Sequence, residues 1–443
     1  MDFQLWLDKN NCKKKYYAHF DCKISLNQVI DEIKIPDNIV RHSFLPFIHY
    51  TLVFEKFSKK NGKENIRKKE RELYYSSHYD RCIFQYYSYL LNEKYNAFAI
   101  SNDIDDCAIA YRNNHNKNNI HFAKEAFDFI KNQNQCYIII SDFSNFFDRL
   151  NHKYLKTQLC KVLEVQNLPY DWYAIYKNIT RYSWVELNDI FKYYDLENTP
   201  ENHKKLNHKS VILPVKELRK NKQLIQTKAK DQRYGIPQGS AISAVLSNVY
   251  MIDFDKSLKT YIENLGGKYL RYSDDSIFII PNITSDKCSD IYNDIIKEVS
   301  SIPDLIMQNE KTKIFEYSDC KITNKSYLIN VEDKNNRLDY LGFTFDGQNT
   351  YLREKTITKY YYRAYKKADN IVKSKWRTSK GTKVVPHELY KNYTLKGCID
   401  KRNFISYAIK CRDVFGKDGK VNSIYNKHFG KIKHRLQNKK FNK

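Results

Sequence analysis

Three carboxylates stand where apolar strands normally avoid charge. Asp142 follows the run CYIII (136–140) after a single serine, and Asp274 and Asp275 interrupt the apolar segment KYLRYSDDSIFIIP (268–281). A lone carboxylate buried in such a strand carries a heavy desolvation cost or takes up a proton. A divalent cation resolves the conflict, because Mg²⁺ binds through a few carboxylates and keeps positions for substrate phosphate oxygens. Two such ions about 3.5–4 Å apart can activate a hydroxyl nucleophile and stabilise a leaving pyrophosphate. An isolated Asp-Asp pair is more often a turn or a helix N-cap. Here it accompanies an upstream strand-terminal Asp142 and, between the two, the Gly-containing loop GIPQGS (235–240).

The surrounding sequence must supply elements that hold these groups. CYIII reads as a short buried strand, and 268–281 as a hairpin with its acids at the bend and Pro281 at its close. Residues 79–91 read as a buried helix, and 121–130 carry Phe122, Ala126, Phe129 and Ile130 at helical spacing. The charged stretch 54–72 is expected as an exposed loop or helix, and 151–230 as partly helical with a variable loop near 195–210. An amphipathic helix is expected over 284–300, then strands near 312–317, 326–331 and 338–345, then basic helices from Thr356.

A chain of 443 residues suggests about three domains and can bury a core without staples. Its Lys and Arg outnumber Asp and Glu by 76 to 51, which favours a polyanionic partner. Residues 351–443 hold +20 of the net +25, so most of that attraction sits at one end. The ten cysteines form no C-x-x-C pair, which excludes a Cys₄ zinc ribbon and fits a reduced, cytoplasmic chain. The N-terminus lacks the apolar run of a signal peptide, and no stretch approaches the length of a membrane span.

In order along the chain, SDFSNFFD (141–148), GIPQGSAISAVLSN (235–248), RYSDDSIFI (271–279), NEKTKI (309–314) and YLGFTF (340–345) resemble motifs A to E of reverse transcriptases. AYRNNHNKNNIHFAKE (110–125) resembles the fingers motif that meets the incoming triphosphate. The resemblance implies an α+β right-hand polymerase fold: an N-terminal extension (1–80), fingers and palm (81–345) and a basic helical thumb (346–443).

By that resemblance, Asp142, Asp274 and Asp275, with the Phe143 carbonyl, would hold two Mg²⁺ ions, Mn²⁺ being the alternative, and Lys311 would protonate pyrophosphate. Gln238 and Gly239 would line the nucleotide pocket, and Arg112 and Lys117 would neutralise the triphosphate. Lys124 reads as structural and Ser243 as a candidate helix cap, while Leu341 and Gly342 would form the primer grip. Phe147, five residues after Asp142, would collide with a 2′-hydroxyl and so favour deoxynucleotides; RNA-dependent RNA polymerases place an acid there, and Asp148 lies one position too late for it. In the thumb, Lys373, Lys375, Arg377 and Lys380, interleaved with Tyr360, Tyr361, Tyr362, Tyr365 and Trp376, would grip an RNA or hybrid backbone.

Among reverse transcriptases, the chain lacks the V-T-G signature of retron enzymes and the Cys pairs of many intron-encoded endonucleases. Gln238 and Ala244 depart from the diversity-generating pattern. IRKKERELYYSSHYD (66–80) and NIHFAKEAFDFI (119–130) resemble the first enzyme of the type 3 defence-associated systems. Those systems are understood to pair two reverse transcriptases with a non-coding RNA. The implied partners are an RNA template, deoxynucleotides, a DNA product, a cognate non-coding RNA and a second reverse transcriptase. The alternatives are a group II-type maturase acting on intron RNA and a catalytically silent RNA-binding scaffold.

Overall fold

The computed structural model describes residues 2–10, 15–60, 63–377, 381–398, 402–416, 420 and 428–437. In chain order its strands begin with β1 (Phe47–Lys60), β2 (Lys63–Tyr75), β3 (Gln135–Asp142), β4 (Ser183–Glu186), β5 (Ile225–Thr227) and β6 (Lys268–Tyr272). They continue with β7 (Asp275–Pro281), β8 (Lys313–Ser318), β9 (Lys321–Asn324), β10 (Leu338–Tyr340), β11 (Phe343–Phe345) and β12 (Thr350–Leu352). The chain divides into two compact units. One comprises Met1–His115, Phe143–Thr260 and Asp294–Gln308; the other comprises Asn116–Asp142, Tyr261–Asn293 and Asn309–Lys443.

The first unit carries a four-stranded sheet in the order β2-β1-β4-β5. β1 and β2 form one long antiparallel ribbon, in register from Ile48 opposite Tyr75 to Lys60 opposite Lys63. This corrects the loop or helix expected over 54–72. The Lys- and Glu-rich sequence there has no period-two apolar pattern, so pairing alone declares the strands. Ile48 and Val185 from the sheet pack with Phe20, Ile190, Phe191, Leu206 and Leu213 in a buried core. The buried helix expected over 79–91 forms as His78–Ser101, with the Ser77 hydroxyl accepting from the Asp80 amide, a cap worth about 1 kcal/mol. A second correction falls at 195–210, where Thr199 caps a helix at Pro200–His208 and proline occupies its first turn.

The second unit is built on a five-stranded antiparallel sheet in the order β6-β7-β3-β8-β9. β3 is its central strand, and Ile138, Ile139, Ile277 and Ile279 are fully buried. β10, β11 and β12 form a separate antiparallel sheet. Residues 326–331 were expected as a strand but contain a 3₁₀ turn, Ser326–Ile329; the buried Ser326 hydroxyl accepts the Ile314 amide. The expected helix near 121–130 spans Asn119–Lys131, capped by Asn118. The basic helix expected from Thr356 starts at Glu354 and runs to Lys373, burying Tyr360, Ala364, Ala368 and Val372. Ala364, Ala368 and Val372 pack with Leu389, Ile432 and Leu436 in a small core. Among the described residues no helix is long and apolar enough to cross a membrane.

Candidate active site

The central strand brings the carboxylates together. β3 and β7 run antiparallel with Asp142 directly opposite Asp275. Tyr272 pairs with Asp275 across the β6–β7 hairpin, which leaves Ser273 and Asp274 as a two-residue turn. Three carboxylates therefore converge at one end of three adjacent strands. Ser273 takes a left-handed φ of 63°, a conformation that costs a non-glycine residue roughly 1 kcal/mol. Arg271 holds the turn in place: its side chain is fully buried in β6, and its Nη1 donates to the Ser273 carbonyl at 3.0 Å. Sequence reasoning missed Arg271, although an arginine inside the apolar run YLRY is itself a signal, because a buried guanidinium must be partnered.

The electrostatics of this cluster are those of crowded like charges. Desolvation, then the neighbouring Asp274 and Asp142 carboxylates, push the Asp275 carboxyl up to about 7, with Arg353 and Lys311 pulling the other way. Asp275 keeps appreciable solvent contact while the Asp274 and Asp142 carboxylates crowd it. Asp274 is raised as well, by desolvation first and Asp142 second. Lys311 donates to Asp142 at 2.5 Å. Both groups retain solvent contact, so the pair can open.

Among the described residues no three ligating side chains form a ready-made metal cage. The donor set nonetheless fits Mg²⁺. It offers hard carboxylate oxygens whose mutual repulsion a cation would relieve, and Mg²⁺ needs only one or two carboxylates when substrate phosphates and water fill its octahedron.

The other expected nucleotide-site residues divide between the units. In the first unit, Phe143 is buried against Phe146 and Phe254, and Phe147 is partly exposed at a 3₁₀ turn (Phe146–Arg149). The Phe147 carbonyl accepts the Ile236 amide at 2.9 Å, and the Leu150 carbonyl accepts that of Gly235 at 2.9 Å. These bonds bind the Phe147 turn to the GIPQGS loop. The Gln238 carbonyl accepts the Tyr74 amide at 2.9 Å. Gly239 has φ 118°, and a Cβ there would lie 2.6 Å from the Tyr74 carbonyl oxygen, so only glycine fits. Ser243 is not an N-cap; its hydroxyl donates to the Pro237 carbonyl at 2.7 Å and folds the loop back onto its helix.

Arg112 is a correction. Its side chain is fully buried, paired with Asp105 and hydrogen-bonded to Asn96 and the Ala108 carbonyl, so it ties the backbone together instead of reaching for a phosphate. In the second unit Lys117 is 46% exposed and paired with Glu125 at 3.1 Å, while Lys124 pairs with Asp128 along its own helix.

His152 gives this loop a pH dependence. It is buried, its Nε2 lies 2.8 Å from the Gly235 carbonyl, and desolvation lowers its pKa to about 4. The unfolded chain takes up that proton near 6.5 and the folded one does not. The associated stability is therefore complete above pH 6.5 and is lost as pH falls toward 4, on the order of 3 kcal/mol in full. Melting temperatures measured from pH 4 to 7 are expected to fall less steeply for His152→Gln than for the wild type.

The second unit also holds Leu341 and Gly342, the residues expected as a primer grip. Leu341 and Gly342 link β10 to β11 with φ values of 47° and 93°. The Leu341 carbonyl accepts from Asn119 Nδ2 at 3.1 Å, and that amide also donates to the Tyr407 hydroxyl at 3.0 Å. A cavity of about 510 Å³ opens beside β11 and β12, lined by Lys313, Arg337, Arg353, Lys355 and Lys420 among others. Of the basic cluster expected in a thumb, Lys373, Lys375 and Arg377 are exposed, and Lys380 lies outside the described residues. Tyr360 is a core residue that donates to the Tyr393 carbonyl, whereas Tyr362 is 63% exposed.

Three carboxylates gathered at one end of the central strands of an antiparallel sheet suit metal-assisted phosphoryl transfer. The family model for reverse transcriptase (RNA-dependent DNA polymerase) matches residues 90–345, and the chain belongs to that family. Its fold is accordingly of the α+β right-hand polymerase class. No curated protein matches the chain. Among solved structures it is similar to an apo telomerase from Candida tropicalis truncated from its C-terminal domain, at 14% identity and a TM-score of 0.40 over 74% of this chain and 59% of that one. It is also similar to the telomerase from Candida albicans in complex with a fragment of telomeric RNA, at 13% identity and a TM-score of 0.39 over 92% and 66%. The chain thus spans less than two thirds of the length of these telomerases.

Proposed function

We propose that this protein is an RNA-directed DNA polymerase that extends a 3′-hydroxyl with deoxynucleotides by two-metal phosphoryl transfer. The observation that carries the reading is the pairing of Asp142 with Asp275 in register, with Asp274 at the adjoining turn. Asp142, Asp274, Asp275 and the Phe143 carbonyl would hold Mg²⁺, which when bound neutralises phosphate charge and favours loss of the hydroxyl proton. Lys311, freed from Asp142, would pass a proton to the departing pyrophosphate. Gln238, Gly239 and Lys117 would contact the nucleotide, and Phe147 would exclude a 2′-hydroxyl. The working division is fingers and palm over 81–345 and a thumb from 346. Incorporation of dGTP opposite a primed oligo(C) RNA in Mg²⁺ tests the reading, and no incorporation on any primed RNA would refute it.

The cellular role we infer is cytoplasmic antiphage defence with a cognate non-coding RNA and a second reverse transcriptase. Its support is the likeness of 66–80 and 119–130 to the type 3 defence-associated enzymes. Sequencing of nucleic acid that co-purifies with the protein, before and after infection, separates this role from intron maturation.

The thumb and primer-grip surface would carry the nucleic acid. Leu341 and Gly342 would meet the primer, and Lys373, Lys375, Arg377 and Lys380 the phosphate backbone. Each phosphate contact contributes about 0.7–0.9 to the slope of log affinity against log salt. Neutralising the four together is expected to weaken RNA binding and to reduce that slope by about 3. The melting temperature should hardly move, since Lys373, Lys375 and Arg377 are exposed. An unchanged slope would leave the cluster as solvated surface charge.

A further inference from the structure

Lys228 stands just past the end of β5, in a basic stretch where its sequence distinguishes it in no way. Its surroundings do. Its Nζ donates to the Tyr234 carbonyl at 2.9 Å and also to the Gly235 carbonyl. The same Gly235 oxygen also receives His152 Nε2 at 2.8 Å. Two side chains therefore converge on the carbonyl that opens the GIPQGS loop.

The ammonium also lies 4.7 Å from the centroid of the Tyr182 ring, an arrangement that immobilises it further. Burial lowers its pKa to about 8, while the nearby Asp148 carboxylate favours the charged form. Packing at this point is tight. Gly235 has φ 88°, and a Cβ there would lie 2.9 Å from the Asp148 carbonyl oxygen and 3.2 Å from Lys228 Nζ.

The backbone anchored at Gly235 continues directly into both halves of the expected nucleotide pocket. One residue on, the Ile236 amide holds the Phe147 carbonyl; three residues on, Gln238 is pinned to Tyr74. A shift of the Gly235 carbonyl is transmitted to the Phe147 turn and to the Gln238–Gly239 backbone through these short, hydrogen-bonded connections. Displacements near 1 Å at a reacting site can cost on the order of a hundredfold in rate.

We propose that Lys228 is a positioning residue for nucleotide selection, setting the separation of Phe147 from the Gln238–Gly239 loop through its bonds to the Tyr234 and Gly235 carbonyls. The proposal rests on the polymerase reading above. Lys228 itself need not touch the nucleotide.

The test compares Lys228→Met, Lys228→Gln and Lys228→Arg in single-turnover extension of a primed RNA with dGTP and with GTP. Lys228→Met is expected to raise the KM for dGTP about tenfold, to lower discrimination against GTP about tenfold and to leave kcat within threefold. Lys228→Arg, which keeps charge and donors, is expected to restore KM and discrimination to within threefold of wild type. A purely structural lysine would instead lower the melting temperature and the active fraction with KM and discrimination unchanged, and that result overturns the proposal. Should Lys228→Met fail to fold, the comparison passes to Gln against Arg, and equal KM and discrimination in the two overturns it as well. Wild-type protein inactive with every primed RNA would strike the polymerase reading instead. Binding of a fluorescent dGTP analogue would then judge Lys228 separately: affinity equal across the wild type and the three variants counts against it, and a loss in Met restored in Arg supports it.

Discussion

Purified Asp274→Ala protein is expected to extend a primed RNA at least a thousandfold more slowly than wild type while melting at the same temperature or slightly above it. The rate loss follows from the proposed two-metal reading, in which Asp274 would supply one of the few anionic oxygens seating the ion: about 4 kcal/mol of transition-state stabilisation is a thousandfold. The stability argument has the opposite sign. Asp274 occupies the turn before β7, remains partly exposed and leaves no core cavity when truncated. Its carboxyl is raised by desolvation and by Asp142, so the ion-free fold holds its charged form at a cost. Deleting it relieves that repulsion. Extension within tenfold of wild type would remove Asp274 from the catalytic assignment.

Phe147→Ala should act on selectivity instead of rate. The ring is partly exposed, so its loss costs less than the roughly 3–5 kcal/mol typical of a fully buried phenylalanine. The Ile236 amide binds the backbone carbonyl of Phe147, which the substitution leaves in place. Discrimination between dGTP and GTP is expected to fall about a hundredfold, equivalent to about 2.7 kcal/mol of lost steric exclusion, with the gain falling on GTP. Unchanged discrimination in single-turnover assays would place the sugar filter at another residue.

Strands that bury both faces wrote themselves plainly into the sequence. CYIII and the two arms of 268–281 are continuous apolar runs, and the acids at their ends mark where each strand meets solvent. The roles of Asp142 and Lys311 entered through the motif resemblance instead; in the structure Asp142 lies opposite Asp275 and accepts from Lys311. The ribbon β1–β2 was hidden because hydrogen-bond pairing between charged strands leaves no periodicity to read. Arg112 was misplaced for a different reason. The resemblance of 110–125 to a fingers motif assigned it to the triphosphate, whereas its buried guanidinium is taken up by Asp105, Asn96 and the Ala108 carbonyl. Lys228 was invisible because its importance lies in two backbone carbonyls, which have no signature in residue types.

The central position of β3 also bears on how the molecule comes into being. β3 ends at Asp142, yet its neighbours β7 and β8 begin only at Asp275 and Lys313, after the chain has contributed Phe143–Thr260 to the other unit. Closing so long a loop is entropically costly and makes the sheet a late, high-contact-order event. At ribosomal rates of about 5–20 residues per second, β3 waits roughly ten seconds for its partners. During that interval its isoleucines are exposed and Asp142 has neither Asp275 nor Lys311 beside it. The carboxylate cluster of Asp142, Asp274 and Asp275 therefore comes into existence only when the sheet closes.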